Sequence, residues 1–190
     1  FSIFLLVRFS GGVEFTGFRG LASHGAEIGM IFSMWLYNKK ILKKSVLWIL
    51  DRVVIASALG AVFIRIGNFF NSEMIGKVAG NDFPLAVIFK QLDTIPRHPG
   101  QLYEAFGYVF VFLILFFLYW KTNKCSQTGF LFGLFLVLLM SVRLVVEQFK
   151  IAQIDSREDW IFGLNTGQVL SIPFVLCGLY FMFIYKPKKA

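Results

Sequence analysis

Five apolar runs separated by short polar breaks set out the chain: Leu21 to Tyr37, Leu47 to Ile64, Tyr103 to Trp120, Phe130 to Val146 and Val169 to Tyr185. A bilayer core about 30 Å thick needs roughly 20 apolar residues per helix, and fewer where the ends snorkel. Each run therefore predicts a membrane-crossing helix. The expected fold is an all-α, multi-span transmembrane bundle, one membrane domain over residues 1–190, interrupted by a long mixed segment from Arg65 to Arg97. Inside that segment, Asn81-Asp82-Phe83-Pro84 is turn chemistry and Leu85 to Phe89 suits a short strand or an interfacial stretch. His98-Pro99-Gly100-Gln101 reads as a helix start, with Pro99 at the first helical position and Gln101 reaching back to cap. Phe1 to Val7 looks like the tail of an apolar segment already under way, and no initiator Met precedes it. The expectation is a fragment that lacks one or more N-terminal spans.

Composition agrees with the pattern. Hydrophobic residues make up 57% of 190, with 24 Phe, and mean hydropathy is +0.69; a soluble domain of this size lacks the polar residues to cover such a surface. The net charge of +8 raises nucleic acid as a partner, but the lysines sit in the breaks between apolar runs. Lys39, Lys40, Lys43, Lys44, Lys121, Lys124, Lys186, Lys188 and Lys189 follow the positive-inside pattern against anionic headgroups. The expected topology puts Asn38–Ser45, Lys121–Thr128 and the C-terminus in the cytoplasm. Arg65–Arg97 and Phe149–Thr166, which carry Glu73, Asp82, Asp93, Asp155, Glu158 and Asp159, then lie on the outer face. Two cysteines, Cys125 and Cys177, make neither a disulfide framework nor a metal site. Gly60, Gly67, Gly107, Gly129, Gly133 and Gly178 suggest close helix packing.

One stretch concentrates polar chemistry. Arg65-Ile-Gly-Asn-Phe-Phe-Asn-Ser-Glu-Met-Ile-Gly76 sets a guanidinium, two carboxamides, a hydroxyl, a carboxylate and glycines at the end of a span. Such a cluster at membrane depth is a functional-site hypothesis. Arg143 and Glu147, four apart, form either a self-neutralising pair or a second charged cluster level with Arg65. Two guanidiniums at one depth need an anion between them, which Glu73, Glu104, Glu147 or a phosphate can supply. His24, with Glu27 three residues on, is a polar packing pair or a base that titrates near neutrality. His98 suits an N-cap or interface role and stays a second-rank candidate. Asp51 and Arg52 read as a local pair, and Trp35, Trp48, Tyr119 and Trp120 as an aromatic belt. No nucleophile elbow, metal spacing or phosphate loop occurs, so the nucleophile would come from a substrate and no cofactor is expected. The rival reading is a transporter or channel for an anionic solute, which should place polar residues through the depth of several spans rather than at their outer ends.

The residues also resemble a known family. Arg65 to Gly76 looks like the signature of bacterial prolipoprotein diacylglyceryl transferase, and Leu-Ala-Ser-His-Gly at 21–25, Arg-His-Pro-Gly-Gln-Leu-Tyr-Glu at 97–104, Arg143 to Lys150 and Gly167 to Ser171 match in order. The resemblance implies a multi-span enzyme of the bacterial cytoplasmic membrane. It would move the diacylglyceryl group of phosphatidylglycerol to the lipobox cysteine of a preprolipoprotein, releasing glycerol phosphate. Carried over, Arg65 with Asn68 and Gly76 would serve the phosphatidylglycerol headgroup. His24, Arg143, Glu147 and Glu73 would serve the chemistry, and His98, Tyr103 and Glu104 follow in second rank. Ala26, Gly100 and Lys150 depart from the residues usual in the family.

Overall fold

The computed structural model describes residues 7–9, 12–14, 29, 32–80, 83–90, 92–150, 164 and 166–185. They fall into two compact units, Phe1–Val46 and Leu47–Ala190. In the first unit, strands β1 (Val7–Phe9) and β2 (Gly12–Glu14) pair antiparallel, Val7 opposite Glu14 and Phe9 opposite Gly12. The apolar-to-polar change at Val7 contains no span signal, and this hairpin was not expected. Of the first expected span, residues 32–37 are helical (α1) and run into a wider turn, Asn38–Leu42. Lys43 closes that turn in the left-handed region, with its N–H on the Asn38 carbonyl at 2.8 Å. His24 and Glu27 lie outside the described residues.

Among the described residues, four helices are long and apolar enough to cross a membrane: Val46–Phe70, Gly100–Lys121, Phe130–Phe149 and Gly167–Ile184. They contain α2 (Val46–Phe70), α3 (Gly100–Lys121), α4 (Phe130–Val146) and α5 (Thr166–Leu179). The multi-span helical fold expected from the apolar runs is borne out. Helix α2 runs six residues past its apolar run, to Phe70, whereas α4 coincides with the expected Phe130–Val146. Their hydrophobicity is nearly all-round, as lipid contact requires, with Phe63, Phe106, Phe117 and Leu176 exposed. The buried stripe is narrow: Val54, Ala58, Val111, Leu115 and Leu131 form one cluster, and Val62, Ala105 and Tyr108 another.

Small residues let the backbones approach. A Cβ on Gly133 would stand 2.6 Å from the Gly178 carbonyl oxygen, and one on Gly107 would stand 2.5 Å from Val142 Cγ1. The packing expected of Gly107, Gly133 and Gly178 is present, whereas Gly60 and Gly67 face open space.

The two ends of this bundle differ. At one end, the buried Asp51 carboxylate of α2 accepts hydrogen bonds from Gly129 N (2.6 Å) and Phe132 N (2.8 Å). One helix thus caps the free N–H groups of another. Arg52, expected as its local partner, attracts that carboxylate electrostatically but makes no ion-pair contact with it among the described residues. Its guanidinium lies over the Trp48 ring, 3.4 Å from the centroid, and donates to the Trp48 carbonyl. Tyr185 and Leu47 also reach Gly129, so the start of α2, the α3–α4 turn with Lys124 and the end of α5 meet there.

The opposite end is built on the mixed segment. Strands β3 (Val87–Ile88) and β4 (Pro96–Arg97) pair antiparallel, the short strand expected within Leu85–Phe89. Backbone bridges join Gly76 to Lys150 and Val78 to Arg97. Helix α3 begins at Gly100 with Pro99 as its N-cap residue, one position later than expected.

Candidate functional site

Helix α2 ends because three successive residues turn their N–H groups back onto it. Asn71 donates to Gly67, Ser72 to Phe69 and Glu73 to Asn68 (3.0, 3.1 and 2.9 Å). Ser72 and Met74 both have φ 56°, a left-handed conformation that costs a non-glycine residue about 1–3 kcal/mol and persists only where its surroundings enforce it. The surroundings are specific. Gln101 Nε2 donates to the Glu73 carbonyl, so this side chain ties down the signature loop rather than capping its own helix. Lys77 N donates to Phe149 O (2.8 Å), and His98 N to Lys77 O (3.0 Å).

Gly76 is required by a close approach. A Cβ there would stand 2.0 Å from the His98 carbonyl oxygen.

This loop brings charged side chains from three helices together. Arg65, in the last turns of α2, places Nε 3.0 Å from Glu104 Oε2 on α3. Lys150, which follows the short helical turn Glu147–Phe149 at the end of α4, places Nζ 2.8 Å from Glu104 Oε1 and 3.8 Å from Glu147 Oε2. Glu104 has no exposed surface. Its oxygens are within ion-pair distance of both cations yet aligned as hydrogen bonds with neither, so charge rather than direction holds them. A buried carboxylate without such partners would be strongly destabilising. The Tyr108 hydroxyl, one helical turn beyond Glu104, lies within electrostatic reach of Glu104, Arg65 and Arg143.

Arg143 and Glu147 do not pair with each other. Helix α4 tightens after Val146 into a 3₁₀ turn, and the Glu147 carboxylate rests against Gly167, where a Cβ would meet Oε1 at 2.3 Å. Arg143 keeps its Nε buried and without a hydrogen-bond partner among the described residues. Gln168, at the start of α5, donates to the Leu144 carbonyl (3.2 Å) and ties α5 to this turn.

Among the remaining candidates, Asn68 is half-buried and Glu73 exposes its side chain; both act here through the backbone. His98 sits in an aromatic enclosure, with Phe83 and Phe149 ring centroids at 4.7 and 5.5 Å and its Nδ1 3.3 Å from the Tyr103 hydroxyl. Arg97 is held by Asp93, and its guanidinium keeps that carboxyl below the usual carboxylate range. Lys150 and Gln101 are site residues that sequence reasoning passed over. Glu147-x-x-Lys150, a pair three apart, was the available signal for the first. The reach from Gln101 back to Glu73 crosses 28 positions and leaves no local signal.

Arg65 and Arg143 both lie within electrostatic reach of Tyr108, and the buried Glu104 carboxylate is shared by Arg65 and Lys150.

The chain matches the family model described as prolipoprotein diacylglyceryl transferase over residues 8–184. It is similar to the phosphatidylglycerol–prolipoprotein diacylglyceryl transferase of Bacteroides fragilis, 46% identical over 180 residues, covering 95% of this chain and 63% of the relative. The Tolumonas auensis protein of that name is 44% identical over 171 residues (90% and 64%), and the Porphyromonas gingivalis one 39% identical over 177 residues (85% and 60%). The chain thus spans less than two thirds of the length of these curated relatives.

Proposed function

The chain belongs to the prolipoprotein diacylglyceryl transferase family, and from that premise we propose that it carries the headgroup-binding and reacting part of a phosphatidylglycerol–prolipoprotein diacylglyceryl transferase. The observation that carries this reading is the Arg65–Glu104–Lys150 cluster, with a buried Arg143 Nε that has no hydrogen-bond partner among the described residues. Guanidinium matches the phosphate of a lipid headgroup bidentately. The Arg65–Gly76 loop sits at a bundle end, the depth at which a headgroup lies.

In the proposed reaction the lipobox cysteine thiolate attacks the glyceryl carbon that bears the phosphate. A C–S bond forms, the C–O bond to phosphate breaks, and glycerol phosphate leaves with the bonding electron pair. The thiol proton passes to a base and from there to the medium or the departing phosphate. A thiol of pKa about 8.5 is only a few per cent ionised at neutral pH, so a base helps. His24 is the proposed base, with Arg143, Glu147 and Glu73 also serving the chemistry, and His98, Tyr103 and Glu104 follow in second rank. Arg65 and Arg143 offset the charge that gathers on the phosphate; removal of one such donor typically costs about 3–4 kcal/mol of barrier.

In this reading the protein forms one domain of the bacterial cytoplasmic membrane, with its Lys-rich breaks and C-terminus inside and the site toward the outer face. Its partners are phosphatidylglycerol, membrane lipid and a preprolipoprotein lipobox segment, and nucleic acid is not among them.

The test is incubation of the full-length protein with phosphatidylglycerol and a cysteine-bearing lipobox peptide. A peptide mass increased by a thioether-linked diacylglyceryl group is expected; an unmodified peptide beside intact lipid would overturn the reading. His24→Asn is expected to lower the rate most at neutral pH, and an unchanged pH–rate profile would remove His24 as the base.

A further inference from the structure

Lys150 links the signature loop, the start of α3 and two carboxylates of the site. Its backbone pairs with Gly76 of the signature loop. Its stem lies against the start of α3, where a Cβ on Gly100 would stand 3.3 Å from Lys150 Cγ. Its ammonium reaches both Glu104 and Glu147, and the residue is 7% exposed.

A buried ammonium engaged by two carboxylates is badly placed to grip a phosphate itself, and it lacks the planar fork of a guanidinium. Its effect falls on Glu104. Were Glu104 to face Arg65 alone, one full negative charge would cancel the positive charge that an incoming phosphodiester must find. Shared with Lys150, the carboxylate still draws the Nε side of Arg65 to 3.0 Å by charge, and so holds it in place, while Arg65 keeps net attraction for an anion. The rest of the Arg65 guanidinium is then left to the Tyr108 hydroxyl and to the lipid.

We propose that Lys150 is a positioning residue for the phospholipid: by sharing the Glu104 carboxylate it keeps Arg65 aimed and net attractive toward a phosphodiester headgroup without touching the lipid. The inference rests on the transferase reading above.

The test uses full-length protein, phosphatidylglycerol in mixed micelles and a saturating lipobox peptide, with KM for the lipid and kcat measured separately. Lys150→Met is expected to raise KM about tenfold or more with a much smaller fall in kcat, and Lys150→Arg to keep most of the affinity. In a Glu104→Gln background, Lys150→Met is expected to add less than about threefold, because its partner charge is already gone. This double variant also serves if Lys150→Met alone fails to fold, since it buries no unpaired carboxylate at position 104.

An unchanged KM in folded Lys150→Met would overturn the proposal, as would an effect on kcat alone. A full multiplicative effect in the Glu104→Gln background would do the same. Transfer by the wild type with an unmoved KM sinks this inference only; absence of transfer by the wild type sinks the transferase reading and this inference with it.

Discussion

At the scale of single residues, the site depends on two kinds of constraint, one of charge and one of space. Glu104 is fully buried between Arg65 and Lys150. Its replacement by Ala leaves two partly or fully buried cations facing each other and should destabilise the fold by about 3–5 kcal/mol, whereas Glu104→Gln should cost clearly less because it keeps volume and a hydrogen-bonding group. Thermal unfolding of the purified proteins in detergent ranks the two; equal losses would argue that the lost charge alone, not packing or hydrogen bonding, sets the cost. Gly76 is a constraint of space. The methyl of Gly76→Ala would meet the His98 carbonyl at 2.0 Å, a backbone atom already accepting from Gly100 N. Overpacking of this sort typically costs about 1–3 kcal/mol, and the shift it forces falls on the loop that follows the Arg65 end of α2. A Gly76→Ala protein that melts like the wild type and binds lipid equally well would refute this assignment.

At the scale of elements, α2 does two unrelated jobs at its two ends. Its C-terminal end carries Arg65 into the cluster; its N-terminal end carries Asp51 to the first turn of α4. Asp51→Ala removes the acceptor for two N–H groups of a helix end and should cost about 0.5–2 kcal/mol, the range of a lost N-cap. Unfolding measurements on Asp51→Ala and Asp51→Asn check it: no loss in either would mean that Gly129 and Phe132 find other acceptors. These two ends were not equally legible in the sequence. Apolar runs of roughly membrane length announce helices whatever they pack against, so α2 to α5 could be read directly. Arg65 and Gly76 stood out because polar groups at that depth need a reason. Asp51 was read as the neighbour of Arg52, since a cap supplied by one helix to another leaves no mark at either position. Gln101 was misread for the same cause, and Lys150 was noticed only as a departure from a pattern. Long-range partners of polar residues are decided by how helices meet, and the hydrophobic pattern says little about that.

At the scale of the whole molecule, the account predicts sidedness. Cysteines introduced at Lys40 and Lys124 should resist a membrane-impermeant maleimide applied to intact spheroplasts, and one introduced at Glu73, whose side chain is exposed, should react. Labelling of all three, or of the lysine positions alone, would contradict the proposed orientation. The resemblance between the chain and its relatives concerns this same arrangement, because the matched stretch runs from residue 8 to 184 and takes in every charged residue of the cluster. The most direct measurement of the central claim, that Arg65 holds the lipid headgroup for transfer, is made on the full-length wild type and Arg65→Ala side by side. Both are given phosphatidylglycerol labelled in its acyl chains and a lipobox peptide, after each is shown to be inserted and folded. The account predicts label on the peptide with the wild type and a loss of at least a hundredfold with Arg65→Ala; wild-type turnover by the variant would contradict it.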